Sequence, residues 1–396
     1  MKDSCILPEV NSGEEGSLID LGGLHVALAA LSDGRDRRGL RYALVTVMLF
    51  IVLAKICGED HLRGIAQWVR LRKEVLAVAL GLEHPQAPHA CTYSRILNQA
   101  VDIEEFEQVV SEFLSAQATA GKGVVLSLDG KTLRGTIAAG ATHGTHLLAA
   151  YLPEQELVLL QVEVDSHENE IPAAMRIIKR IDLRGKIVTG DALLAQRELS
   201  AQIVDRGGEY LWKIKGNQSQ TLEDIQELFR PERCTGGFSP CHKDFRSCTT
   251  YDKEHGRLET RTLTASSMLK EYLDWPYAEQ VFRIERRTIR LSDGKVTEET
   301  AYGITSLTSS EADPRRLLYI ARSHWGIENG LHYRRDETLK EDRCRLKGQA
   351  GRAMATMNNL ALALLLNRGF RHAPDARRYY AANLWSALSL ILQPLA

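Results

Sequence analysis

The sequence predicts an α/β protein: a mixed β-sheet with flanking helices that carries a β-rich insertion and follows an all-helical N-terminal segment. Three observations predict it. Apolar residues recur at helical spacing from about residue 21 to 118. Strand-like runs begin after Gly123 and then alternate with helical ones. A second group of β-branched, alternating runs fills about 221–310 before long helices return.

Taken in order, residues 1–20, with Glu14, Glu15 and several Gly and Ser, read as a poorly ordered tail. "LRYALVTVMLFIVLAKICG", "LRGIAQWVRLRKEVLAVALGL" and "VDIEEFEQVVSEFLSAQ" have helical periodicity, with "EHPQAPHACT" as a Pro-containing break. The most apolar run, Leu44 to Ala54, is about half the length that crosses a bilayer and starts too far in for a secretory signal, so it is expected to be a buried helix. Arg35, Arg37, Arg38, Arg41, Arg63, Arg70, Arg72 and Lys73 form local basic clusters that suit phosphates, although solvated helix faces explain them equally well.

"VVLSLDG", "THLLAAYL" and "LVLLQVEVD" read as consecutive strands, with Pro153 and Glu154 in a turn, and so predict a meander. A helix "IPAAMRIIKRI", a strand "GKIVTGDA", a helix "AQRELSAQIVDRG" and a strand "EYLWKIKG" follow, which is the order of a mixed sheet covered by helices. "GRLETRTLTA", "AEQVFRIERRTIR" and "TEETAYGITSL", separated by turns such as Ser292-Asp293-Gly294, make the insertion. "DPRRLLYIARSHWGIENGLHYRRDETL", "AGRAMATMNNLALALLLNRG" and "YYAANLWSALSLILQ" return the chain to helices.

The bulk composition belongs to a folded protein: 44% hydrophobic and 26% charged over 396 residues, long enough for about two or three domains. A net charge of -1 gives no global argument for nucleic acid, so such a partner must be recognised by local clusters. Seven cysteines, an odd count without a CxxC pair, point to free thiols in a reducing cytoplasm. Cys234, Cys241 and Cys248 recur every seven residues beside His242. Zinc-binding cysteines usually stand closer, so loop and strand thiols are the expected reading there.

The chemistry-bearing feature is a pair of acids. Asp129 ends the apolar run "VVLSL", and Asp191 ends "KIVTG" in the same manner. Singly, Asp129-Gly130 reads as a turn and Asp191 as the cap of the next helix. As a pair on adjacent strands about 4.8 Å apart, their carboxylates converge, repel, and call for a divalent cation, for which hard oxygen ligands select magnesium or manganese. Positions four apart also put His324, Glu328 and His332 in one helical row, with Trp325 and Arg335 nearby. That row reads either as a face crowded with polar function, as a transition-metal row, or as surface histidines beside a core tryptophan.

The motifs "LDGKTLRGT", "VDSHENEIPA", "GKIVTGDALLAQRELSAQIVDRGGEYLWKIKGNQ", "HGRLETR" and "RSHWGIENGLHYRRDETLKEDRCR" occur in one order along nearly the whole chain. In this the chain resembles the DDE transposases of bacterial insertion sequences, the H-repeat-associated branch. "GRDRRGLRYALVTVMLFIVLA" also resembles that family's associated N-terminal domain. The resemblance implies a ribonuclease-H-like sheet whose catalytic, metal-binding acids are Asp129, Asp191 and Glu328, with two Mg2+ (or Mn2+) ions. It further implies DNA partners, namely terminal inverted repeats and target DNA, handled by a homodimer in the bacterial cytoplasm without membrane association. Many relatives carry Tyr-x2-Arg-x3-Glu-x6-Lys. Here Tyr319 and Arg322 precede Glu328 at longer spacing and Arg335 stands where that Lys would fall, which leaves Glu341 as an alternative third acid.

Within this reading, Lys131, Arg134, Lys213 and Lys215, on or beside the acid-bearing strands, are expected phosphate contacts unless they form an ordinary solvated face. Asn217, Gln218, Arg322, His324, Trp325 and Arg335 complete the expected DNA contacts. The expected organisation is a tail (1–20), a helical DNA-binding or associated domain (21–118), a first part of the catalytic core (119–220), the insertion (221–310), a second core part bearing Glu328 (311–372) and a C-terminal helix (373–396). The expected activity is metal-dependent DNA strand cleavage and strand transfer. The alternatives are a repurposed, inactive DNA-binding protein and a stand-alone nuclease.

Overall fold

A computed structural model describes residues 22–392 apart from 37, 39, 119–121, 138, 139, 141, 231–243, 255, 347, 367 and 368. The expected tail 1–20, and Cys234, Cys241 and His242 of the cysteine repeat, lie outside the described residues. The N-terminal helices are α1 (Gly22–Ala29), α2 (Leu44–Ile56), α3 (Leu62–Ala79), α4 (Ala90–Arg95) and α5 (Ile103–Gln117). The apolar run predicted as a buried helix is α2, buried from Thr46 through Ile56.

Strands β1 (Val124–Thr132), β2 (His146–Leu152) and β3 (Leu157–Val164) form an antiparallel meander. After α6 (Glu170–Arg180), β4 (Lys186–Gly190) pairs parallel with β1. After α7 (Arg197–Asp205), β5 (Glu209–Ile214) pairs parallel with β4. The next segment comprises α8 (Ser219–Leu228), β6 (Arg246–Glu254), β7 (Arg257–Ser266), β8 (Gln280–Arg290) and β9 (Val296–Thr305).

These later strands continue the same sheet, because β9 pairs antiparallel with β5 and the order becomes β3-β2-β1-β4-β5-β9-β8-β7-β6. A close approach makes this possible. A Cβ at Gly303 on β9 would stand 2.5 Å from the Trp212 carbonyl oxygen and 2.2 Å from the Phe282 ring, so only glycine lets β9 sit between β5 and β8.

Alternation decides what each face buries. Leu126, Leu128, Leu148, Ala150 and Val188 pack with Ala174, Ile177, Leu199 and Ile203 of α6 and α7. Val125, Ile187 and Leu211 instead pack with Leu317, Ile320 and Ala321 of α9 (Pro314–Ser323). Helix α9 begins at Asp313, whose side chain accepts the Arg316 N–H, with Pro314 in its first turn.

The helical segment 21–118 shares its core with the rest of the molecule. Residues of α1–α5 form one apolar cluster with α10 (Ala350–Leu366), α11 (Ala373–Ala382), α12 (Leu384–Leu392) and Ala149, Tyr151, Leu157 and Val158 of the sheet. The single helix expected over 373–396 is two, broken at Asn383, whose amide turns back to the Tyr379 carbonyl.

The long helix expected around Glu328 is also interrupted. Beyond α9 the chain widens into π-helical turns at Glu328–His332 and Arg334–Thr338, a distortion that recurs at functional sites. Arg335 in the second turn is 0% exposed. Its Nε donates to both Glu341 carboxylate oxygens at 3.0 and 2.9 Å, and its Nη1 to Gln161 at 2.9 Å and Asn359 at 3.3 Å. The Asn358 amide also donates to Glu341 at 2.7 Å. Burial pushes the Glu341 carboxyl up, but Arg335 and Asn358 outweigh it and hold it below the usual range.

Two expectations are thereby corrected. Arg335 is an internal ion pair rather than a DNA contact, and Glu341 is its partner rather than a free third acid, because each has its charge compensated inside the core. Arg335→Ala, which strands Glu341, should lose about 3–5 kcal/mol in urea melts. The paired change Arg335→Met with Glu341→Leu should recover most of that loss.

Candidate functional site

The parallel pairing of β1 with β4 aligns Ser127 with Thr189. Their hydroxyls lie 3.2 Å apart in the protein interior. Two residues further along each strand direction stand Asp129 and Asp191, so both carboxylates leave the same end of the sheet on neighbouring strands. Asp129 Oδ1 accepts from the Gly130 N–H at 3.0 Å.

Asp191 Oδ1 accepts from Leu193 and Leu194 N–H at 3.0 and 3.2 Å, so this acid organises the turn after β4 as well as facing Asp129. Burial raises the Asp191 carboxyl pKa above its ordinary value. The charges of Glu170 and Asp129 add to that rise, against the pull of the Leu194 and Leu193 amides.

The segment after α9 closes over this end. His324 Nδ1 lies 3.5 Å from Thr189 Oγ1. Burial first, and then the Lys213 charge, push its pKa down to about 4 against the opposing effect of Asp129. The ring is therefore neutral at neutral pH and offers no cation to a phosphate. His332 is 9% exposed and points Nε2 at Asp129 Oδ2, 3.4 Å away. Neither of its ring nitrogens has a hydrogen-bond partner among the described residues.

Glu328 stands between these histidines at the start of the π turn, with an exposed side chain. Among the described residues no group of three His, Cys, Asp or Glu side chains converges closely enough to hold a metal ion. In donor type and charge, the Asp129 and Asp191 pair nevertheless fits a hard divalent cation: oxygen donors on adjacent strands, one with its ionised form already disfavoured.

The expected DNA contacts divide into three kinds. Trp325 is 43% exposed and carries Lys213 Nζ 4.9 Å and Arg286 Cζ 5.4 Å from its ring centroid, a cation-flanked aromatic surface. Lys215 is exposed just past β5, and Arg134 is 79% exposed with Nε 3.7 Å from Asp342. Arg322 is half exposed and pairs with Asp252 at 3.1 Å.

Others are occupied internally. Lys131 Nζ is held by Asp336 at 2.7 Å and is 10% exposed. The Asn217 amide donates to the Ala192 carbonyl at 2.6 Å and that of Gln218 to Ala195 at 3.0 Å, so both brace the turn carrying Asp191.

Two acid-proximal groups carried no functional assignment from the sequence. One is Thr189, which joins β4 to His324. The other is Glu170 at the start of α6, whose Oε1 lies 2.8 Å from His146 Nε2 and over the backbone of Gly130. Its available signal was an acid at the start of a helix, one short turn after a strand, inside "HENEIPA".

Residues 120–366 match the transposase DDE domain family, and residues 26–114 match the DDE_Tnp_1-associated family. The chain belongs to the transposase DDE domain family. It is 27% identical to YncI of Escherichia coli O157:H7, a protein named as a transposase, over 85% of this chain and 86% of that one. It is 24% identical to YhhI of Escherichia coli K12, named as an H repeat-associated transposase, over 90% and 96%. An uncharacterized protein from the dhlA 3' region of Xanthobacter autotrophicus is 31% identical over 69% of this chain and 89% of its own length.

The electrostatics of the site have signed consequences for stability. Asp191 is harder to ionise in the fold than in the unfolded chain, so its charge destabilises the metal-free protein above the folded pKa. This cost vanishes below about pH 4, where both states are protonated. Asp191→Asn, which retains the oxygen that accepts the turn amides, should raise the melting temperature at pH 7 and leave it unchanged at pH 3. His324 acts in the opposite sense: as pH falls from about 6.5 toward 4 the unfolded state gains a proton that the fold refuses. Melts of His324→Gln should therefore show a shallower loss of stability over that window than the unsubstituted protein.

Proposed function

We propose that the chain is a DNA transposase that cuts and joins strands at the ends of an insertion sequence. Its reaction centre is built on Asp129 and Asp191, with Glu328 on the covering segment and a ribonuclease-H-like arrangement of β1–β5. The observation that carries this reading is the side-by-side exit of Asp129 and Asp191 from paired parallel strands, in a chain of the transposase DDE domain family.

Asp129 and Asp191 would hold magnesium or manganese, two ions in the full site, with Glu328 as the further ligand. When bound, the ions would activate water and stabilise the leaving 3′ oxygen of a phosphodiester. The chain's own contribution is placement. Asn217 and Gln218 keep the Asp191 turn in position. The face of Trp325 between Lys213 and Arg286 suits a nucleobase stacked near the acids, and Lys215, Arg134 and Arg322 suit the phosphates that flank it.

A second copy of the chain would be needed so that two element ends are processed together, in the bacterial cytoplasm where the DNA lies. No helix among the described residues is long and apolar enough to cross a membrane.

A second reading is a transposase-derived DNA-binding protein without catalysis, the reading that fits if the carboxylates stay as they stand among the described residues, where no group of three His, Cys, Asp or Glu side chains is placed to hold a metal ion. One assay separates the two. Element-end DNA incubated with the purified protein and magnesium should be nicked, and Asp129→Asn should reduce nicking at least about a hundredfold, the scale of losing one preorganised electrostatic contact. Binding without cleavage by either protein would favour the second reading, and equal cleavage by both would remove Asp129 from the reaction.

A further inference from the structure

We infer that β6 (Arg246–Glu254), an edge strand of the nine-stranded sheet, pairs antiparallel with β6 of a second copy of this chain about a twofold axis at Thr250, joining two sheets into one. The partner is the second copy that the proposed function calls for, but the argument is made on the strand alone and holds whether or not the chain cuts DNA.

The two edges of the sheet are finished differently. At the β3 edge, helices reach the outward backbone: Ser111 of α5 donates its hydroxyl to the Leu159 carbonyl, and Arg176 of α6 donates to the Glu163 carbonyl at 2.7 Å. Strand β6 has β7 on one side and, among the described residues, no strand on the other. It is nine residues long and pairs with β7 without a register shift. Its centre reads Cys-Thr-Thr-Tyr, with neither the proline nor the lysine that usually guards an edge. A long, unguarded edge strand is a template for another strand.

The strand is self-complementary in one register. In an antiparallel pair, residues whose backbone groups point outward must meet residues that do the same, so a twofold axis passes through a residue rather than between two. With the axis at Thr250 all nine residues pair, and Arg246 of each copy faces Glu254 of the other on the same face of the sheet. Moving the axis to Thr249 puts Glu254 against Asp244, a like charge, and moving it to Tyr251 leaves Arg246 with no acid opposite.

Two side chains agree with that register. Thr250 Oγ1 is buried without a hydrogen-bond partner among the described residues. On the axis the two Thr250 residues oppose one another, and a χ1 rotation pairs their hydroxyls as Thr249 and Thr262 pair at 2.9 Å between β6 and β7. Tyr251 is 73% exposed on the opposite face, and in the dimer its ring packs on Thr249 of the second copy. The contact is isologous, so each copy spends its β6 edge on the other. With the β3 edge covered by helices, assembly stops at two.

Sedimentation equilibrium of the full-length, DNA-free protein tests this. The unsubstituted chain at tens of micromolar should be a dimer. Arg246→Glu and Glu254→Arg should each weaken it at least about tenfold, because each sets like charges opposite one another twice. Combining the two changes reverses both pairs and should bring the dimer back to within about threefold of its original strength. A monomeric unsubstituted chain, growth beyond two copies, or a dimer indifferent to both single changes would overturn the proposal, and the nicking assay of Asp129→Asn would still decide the reaction.

Arg246 also holds Asp244 of its own chain at 3.0 Å, so if its variant misfolds or the combined change does not recover the dimer, cross-linking decides. Thr250→Cys should join two chains by a disulfide under oxidised glutathione, since its mate stands directly opposite. Ser247→Cys, roughly 20 Å from its mate in this register, should cross-link no more than the unsubstituted chain. No cross-link in Thr250→Cys, or an equal one in Ser247→Cys, overturns the pairing.

Discussion

The structure depends first on the parallel register of β1 with β4. Leu126, Leu128 and Val188 must enter the core beneath α6 and α7, and that requirement fixes which way Ser127, Thr189 and the two aspartates face. A slip of one residue in either strand would turn its acid into the apolar layer, where an ionised carboxylate is costly. The site is thus a by-product of leucine and valine burial. Apolar packing enforces the register, and the register brings two like charges together that would otherwise avoid each other.

The covering segment is held by a different kind of interaction. Arg335, Glu341, Asn358, Asn359 and Gln161 form a buried polar network that ties the π-widened stretch to β3 and α10. Lys131 adds a tie from β1 to Asp336. Such a network supplies position more than net stability, since the desolvation of its charges offsets much of their attraction. Position is what the site requires. His324, Glu328 and His332 lie between the α9 contacts on one side and this network on the other. The π turn alters their spacing from that of a regular helix.

Much of this was legible in the chain, for reasons that can be named. Helices α3 and α5 announce themselves by period, α2 by its unbroken apolar run, and the meander by its short apolar runs broken at Pro153. The strand-end acids stood out because an apolar run that stops at an aspartate is conspicuous without any partner. Arg335 was misread for the converse reason. In "HYRRDETLKEDR" it sits among charges and looks solvated, and the residues that bury it include Gln161, 174 positions away. The strands of 221–310 were recognisable as strands, but their union with the core depends on β9 lying against β5, which Gly303 permits and no local pattern declares. Asn217 and Gln218 likewise look available in sequence and are spent on the Ala192 and Ala195 carbonyls.

By itself the sequence determined the types and order of the elements, the two acids at strand ends, and the family whose motifs it carries. These are local properties, set by periodicity, propensity and short patterns, and they survive in a linear text. Only the tertiary structure decided which charges face one another, which are neutralised in the core, that the helices of 21–118 share a core with α10–α12, and that Glu170 lies against Gly130. Those outcomes come from side chains hundreds or tens of residues apart competing for the same small volume, and that competition exists only once the chain has packed.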